Sequence, residues 1–104
     1  MYDIAIIGGG PAGLAAGLYG ARGGMDTVLL ENMLVGGQIT KTTQVDNYPG
    51  FPDGIDGFAI GTNMQKQAER FGLEIKRTGV DSVELEGEIK RLHCGREVIE
   101  AKAV

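Results

Sequence analysis

Tyr2-Asp3-Ile4-Ala5-Ile6-Ile7-Gly8-Gly9-Gly10-Pro11-Ala12-Gly13 is the stretch whose reading decides the fold. Ile4 to Ile7 form an unbroken apolar run, the pattern of a strand covered on both faces. The run ends in Gly8-x-Gly10-x-x-Gly13, and a helix-like segment follows at once. In such a turn each glycine has its own use. Gly8 lets the chain turn sharply off the strand, Gly10 lets bare backbone approach a phosphate, and Gly13 lets the new helix lie close to the sheet. Free N–H groups at the helix start, with about half a positive charge from the helix dipole, then face a diphosphate.

The chain has 18 glycines in 104 residues, so the spacing alone is weak and the flanking pattern decides. Pro11 falls in the first helical turn, where a missing N–H is tolerated. Leu14, Ala15, Leu18, Tyr19 and Ala21 carry the helix on, and Gly23-Gly24 stops it. Val28, Leu29 and Leu30 read as a second buried strand, which Glu31 ends. Glu31 stands 18 residues after Gly13, where a dinucleotide fold places an acid for the ribose hydroxyls. A carboxylate accepts two hydrogen bonds from a vicinal diol and repels a 2′-phosphate. The site therefore suits an unphosphorylated adenosine, that of FAD or NAD, and not NADP.

Size and charge bound the answer further. The length is that of one domain. A net charge of −4 argues against nucleic acid or an anionic membrane as main partner. No apolar run approaches 18 residues, and no basic segment precedes a signal-like stretch, so neither a spanning helix nor a secretory leader is expected. One cysteine allows no internal disulfide, and the cytoplasm is the expected home.

Beyond Glu31 the pattern changes. Residues 32–57 read as a long irregular stretch, too long for a plain connector, with tight turns at Pro49-Gly50 and Pro52-Asp53-Gly54. Phe58 to Phe71 reads as an amphipathic helix whose Phe58, Gly61, Met64, Ala68 and Phe71 face the core, with Gly72 ending it. Leu73 to Lys76 then reads as a third parallel strand. Val80 to Glu86, Ile89 to Cys94 and Glu97 to Ala103 read as three antiparallel strands joined by Glu86-Gly87-Glu88 and Gly95-Arg96. Glu84, Glu86 and Glu88 alternate with apolar residues as the wet face of that ribbon. Ala101 to Val104 reads as the approach to a further buried strand, so the chain is expected to be part of a longer protein. The fold class is α/β, a Rossmann-type domain with a parallel sheet, helices and a three-stranded antiparallel ribbon.

At the Gly8–Gly13 turn, at Glu31, and through Gly36-Gly37-Gln38-Ile39-Thr40 and Thr43-Gln44-Val45-Asp46-Asn47-Tyr48-Pro49-Gly50, the chain resembles the bacterial low-molecular-weight thioredoxin reductases. The likeness runs along all 104 residues, and the second motif is far more specific than the glycine turn. The resemblance implies a domain that holds FAD. Gly8, Gly10, Pro11, Ala12 and Gly13 would surround the pyrophosphate and Glu31 the adenosine ribose. Gly37, Gln38 and Ile39 would lie along the ribityl and pyrophosphate region, Thr42 and Asn47 would reach toward the flavin, and Val80 would offer backbone to the adenine. It also implies electron flow from NADPH through FAD to a dithiol and on to thioredoxin, in a homodimer.

Chemistry makes the polar roles reasonable. The amides of Gln38 and Asn47 both donate and accept, as flavin carbonyls and ring nitrogens require. For Thr42 and Asn47, turn capping is the competing use. Tyr48, Pro49, Phe51 and Pro52 form an apolar group able to keep water from a flavin.

The family's Cys-x-x-Cys and NADPH domain lie outside these residues, so the resemblance gives the chain cofactor-binding residues and no catalytic ones. A reductase of the same domain plan using ferredoxin or flavodoxin, and a dinucleotide-binding module without turnover, are the rival readings. Cys94 reads as a buried small hydrophobe, because His93, its neighbour on a strand, points to the other face. One His and one Cys are too few for a metal site.

Overall fold

A computed structural model describes residues 1–104. Strands β1 (Tyr2–Ile7), β2 (Thr27–Leu30), β3 (Glu74–Lys76), β4 (Ser82–Glu84), β5 (Lys90–Cys94) and β6 (Glu97–Ala103) join in one sheet of order β3-β2-β1-β6-β5-β4. β3, β2, β1 and β6 run parallel, while β5 and β4 are antiparallel additions. Helices α1 (Pro11–Arg22) and α2 (Gly57–Arg70) and a short 3-10 helix, Gly37–Lys41, complete the Rossmann-type α/β domain.

Local chemistry sets these boundaries. β1 ends where Gly8 takes φ +101, and α1 starts with Pro11 in its first turn. The Gly23 N–H closes α1 on the Tyr19 carbonyl at 2.9 Å, and Gly24 turns out at φ +84. Asp56 caps α2, accepting from the Ala59 N–H at 3.0 Å. Gly72, at φ +102, leads away from its far end.

β2 is buried along its whole length and divides the core. Leu29 packs with Leu14 and Ala21 of α1, Ala68 of α2, Val35 and Leu73. Val28 and Leu30 pack with Ala5 and with Leu92, Cys94, Ile99 and Ala101 of the β5–β6 ribbon. Burying each such leucine is worth roughly 1.5–3 kcal/mol over leaving it exposed.

The structure adds to two expectations and corrects two. The third ribbon strand also extends the parallel sheet, since β6 pairs parallel with β1 (Tyr2 opposite Ala101) while pairing antiparallel with β5. Ala101 to Ala103 belong to that same strand. The strand expected over Val80–Glu86 shrinks to Ser82–Glu84, because Leu85 to Ile89 form a wider turn in which Gly87 takes φ +85 and the Lys90 ammonium donates to its carbonyl. Gly57, Ile60, Gly61 and Ala68 are the buried positions of α2, with Met64 packed against the cluster, whereas Phe58 and Phe71 stay exposed. The helix is rotated so that Ile60, Met64 and the small residues, not the phenylalanines, meet its neighbours.

β1 is also less covered than its apolar run suggests. Ala5 alone is fully buried, and Ile7, at the mouth of the glycine turn, is exposed.

Candidate functional site

The turn between β1 and α1 is built to leave donors free. The Gly8 N–H is used by the Leu30 carbonyl at 2.9 Å, the Gly9 N–H by Glu31 Oε1 at 2.9 Å, and the Leu14 N–H by the Gly10 carbonyl at 2.9 Å. The N–H groups of Gly10, Ala12 and Gly13 donate to nothing in the chain. No side chain caps α1 and no acid stands in its first turn, in contrast to α2 with its Asp56 cap. An uncapped dipole end with three unspent donors suits an anion.

Two glycines of the turn differ in what they protect. A Cβ on Gly13 would lie 1.9 Å from the Gly8 carbonyl oxygen, so Gly13 serves the fold itself. A Cβ on Gly10 would meet nothing closer than the Gly37 Cα at 4.0 Å, and its φ of −75° is open to any residue. Gly10 thus keeps clear a space that the folded chain does not fill.

Glu31 projects from the end of β2 back to this turn. Its second oxygen accepts from the Met33 N–H at 3.1 Å. An ionised carboxylate has about four acceptor positions, so two remain for a ribose diol. Beside it lies a cleft of about 320 Å³ lined by Glu31, Met33, Leu34, Gly37, Gln38, Thr40 and Lys41. Gln38 and Ile39 ride on the 3-10 helix, whose start is tied to the turn by the Gly36 N–H, donating to the Gly9 carbonyl at 2.7 Å.

The structure brings together Gly8, Gly10, Pro11, Ala12, Gly13, Glu31, Gly37 and Gln38, while Ile39 lies against α2 at Gly57 and Gly61. Thr42 closes the 3-10 helix, and its carbonyl accepts from the Gly57 N–H at 3.1 Å. Val80 is half-buried against the ribbon cluster, and the backbone of the preceding Gly79 lies beside the Asn32 side chain, next to Glu31. Asn47 lies apart, in the loop Asp46–Pro52, which lines its own depression.

The aromatic group faces elsewhere too. Tyr48 and Phe51, with ring centres 6.2 Å apart, border a groove with Leu14, Leu18, Ile60 and Met64 between the helices. Met33, Leu34, Thr40 and Lys41 were not singled out in the sequence. Their only signal there is proximity to Glu31 and Gly37.

Cys94 and His93 do not form a pair. Cys94 is buried, its thiol pushed up by desolvation and by the Glu97 and Asp81 carboxylates. His93 instead meets Glu84 across the ribbon at 2.6 Å. No three acidic, His or Cys side chains converge as metal ligands would, and no helix is long and apolar enough to cross a membrane.

Comparison with known proteins agrees with this geometry. Residues 2–104 match the family described as pyridine nucleotide-disulphide oxidoreductase. A thioredoxin reductase of Peptoclostridium litorale is 49% identical over all of this chain, which covers 33% of that protein. The thioredoxin reductase of Streptococcus pyogenes superposes with a TM-score of 0.94 at 37% identity, over 98% of this chain and 33% of its own. A ferredoxin-flavin thioredoxin reductase of Clostridium acetobutylicum superposes with a TM-score of 0.86 at 30% identity, over 97% of this chain and 35% of its own. The chain thus spans about a third of the length of the relatives it matches.

Proposed function

We propose, from the premise that this chain belongs to the pyridine nucleotide-disulphide oxidoreductase family, that it is the N-terminal part of the FAD-binding domain of a thioredoxin reductase-like enzyme. The whole enzyme moves electrons from NADPH to a protein disulfide, that of thioredoxin or a similar small protein. It works as a cytoplasmic homodimer. Its NADPH domain and redox cysteines lie outside these 104 residues. One observation carries the reading: three unspent N–H groups at the uncapped start of α1 face a space kept clear by Gly10, with Glu31 held at its rim.

Bound FAD supplies two-electron acceptance and release, chemistry that belongs to the cofactor. The chain's own residues bind and orient. Gly10, Ala12 and Gly13 donate to the diphosphate, with Gly8 and Pro11 shaping the turn. Glu31 accepts from the adenosine ribose. Gly37, Gln38 and Ile39 flank the dinucleotide, Val80 offers backbone to the adenine, and Thr42 and Asn47 serve the flavin end. Asn47 would serve that end from its own loop, which stands apart from the Glu31 cleft.

The likeness to a ferredoxin-flavin thioredoxin reductase favours a second reading, in which the same domain serves a ferredoxin donor. Titration of the full-length protein with FAD, then with NADPH or reduced ferredoxin, then with oxidised thioredoxin, tests both. FAD uptake, flavin bleaching by NADPH and turnover of thioredoxin are expected. Bleaching by ferredoxin alone selects the second reading. A flavin that never turns over leaves a binding module, and a folded protein that refuses FAD ends the proposal.

A further inference from the structure

We infer that Gly57 and Gly61 of α2 are positioning residues for the dinucleotide, because their missing side chains let the 3-10 helix that carries Gly37, Gln38 and Ile39 lie against the phosphate turn. The inference rests on the FAD reading above, and it concerns a helix to which that reading gives no part.

Three backbones meet here with nothing between them. On one side of the 3-10 helix, the Gly36 N–H donates to the Gly9 carbonyl at 2.7 Å, and a Cβ on Gly37 would lie 2.8 Å from the Gly10 Cα. On the other side, a Cβ on Gly57 would lie 2.0 Å from the Ile39 carbonyl oxygen and 2.4 Å from that of Thr42. A Cβ on Gly61 would lie 3.2 Å from both the Gly36 Cα and Thr40 Cγ2. The 3-10 helix is therefore clamped between α2 and the turn, with less than a methyl group of slack.

Gly61 has no conformational reason to be glycine. It lies inside α2 without a positive φ, and alanine is the better helix former there. It is buried, and the two nearest neighbours of a methyl group there are the Gly36 backbone, which cannot swing aside, and the Thr40 side chain, whose hydroxyl is held on the Gly37 carbonyl. Gly36 and Gly37 are fixed in turn by φ values of +112 and +69. A methyl group at position 61 would push the 3-10 helix by a few tenths of an ångström. On its far side Gly37 already touches Gly10, so Gln38 and Ile39 would shift relative to the free N–H groups.

The test compares the full-length protein as wild type, Gly61→Ala, and Gly61→Ala with Thr40→Ser. Thr40→Ser removes Cγ2, one of the two crowded atoms, and keeps the hydroxyl that donates to the Gly37 carbonyl at 2.7 Å. Flavin-free Gly61→Ala is expected to melt no lower than wild type. Its Kd for FAD rises about tenfold, the scale of one hydrogen bond lost, and the visible band of bound flavin shifts. The double variant recovers most of the affinity. Unchanged affinity in Gly61→Ala beside normal FAD binding by wild type overturns the inference. A lower melting temperature with no recovery from Thr40→Ser also overturns it, since the contact then serves stability alone. Wild-type protein that binds no FAD removes the dinucleotide reading, and this inference with it.

Discussion

Glu31 Oε1 accepts the Gly9 N–H at 2.9 Å, so the acid at the end of β2 is anchored on the turn at the end of β1. The carboxylate and the free N–H groups of the turn are thereby held at one fixed separation. Glu31→Gln keeps the shape and removes the charge. Hydrogen bonds to charged groups are worth about 1.5–3 kcal/mol, so FAD affinity should fall roughly 10- to 100-fold. Fluorescence titration with FAD measures this, and an unchanged Kd would show that Glu31 does not hold the ribose.

Gly10 and Gly13 should separate binding from folding. Gly10→Val adds a side chain where only the Gly37 Cα approaches, at 4.0 Å, so the protein should fold and lose its flavin. Gly13→Ala sets a methyl 1.9 Å from the Gly8 carbonyl oxygen, so it should lose several °C of thermal stability or fail to fold. Circular dichroism and flavin content, measured on both, check the pair. A yellow Gly10→Val protein would count against the phosphate site.

Cys94 should be inert. Burial holds its thiol above the ordinary value, so the protonated form belongs to the folded state. Its contribution to stability is complete below the usual thiol range and is lost as pH rises through the raised value. Thiol reagents at neutral pH should label the protein only after unfolding. Cys94→Ser should leave turnover of the intact enzyme near wild type. Rapid labelling of folded protein would contradict this.

Tyr2 gives an alkaline signature. Its hydroxyl donates to Glu74 Oε2 at 2.7 Å, and that bond, then desolvation, pushes the phenol from 10.0 up to about 12. The neutral phenol is the folded form's preference. The stability it adds is whole below pH 10 and disappears as pH climbs toward 12. Tyr2→Phe should flatten that part of the stability curve and remove a late tyrosinate transition from the absorbance titration. A late transition that survives the substitution would assign it elsewhere.

What could be read in the chain was local. The Gly8–Gly13 turn, the Pro11 start of α1 and the run Val28–Leu30 each follow from residues adjacent in sequence, and each has its expected place. The pairing of β1 with β6 joins residues almost a chain length apart, and no short pattern announces it. On α2, Gly61, Met64 and Ala68 face the core as expected and Phe58 and Phe71 do not, for a related reason. Helical period marks which residues share a side, but only the bare Gly36 backbone opposite explains why Gly61 is covered while Phe58 is left in water. Within the site, Gly37 and Gln38 were legible from their motif. The bond from Gly9 to Glu31 was not, because it depends on two strand ends meeting side by side.

The place of β6 also matters to a chain emerging from the ribosome. β1, α1 and β2 can assemble early, since their contacts are short in range. Yet the second neighbour of β1 is synthesised only at residues 97–103. Until then the strand that aims the diphosphate turn keeps one row of peptide groups unpaired, an open template for another nascent copy. The last strand of this stretch thus protects the first, and cofactor capture during translation should wait for it.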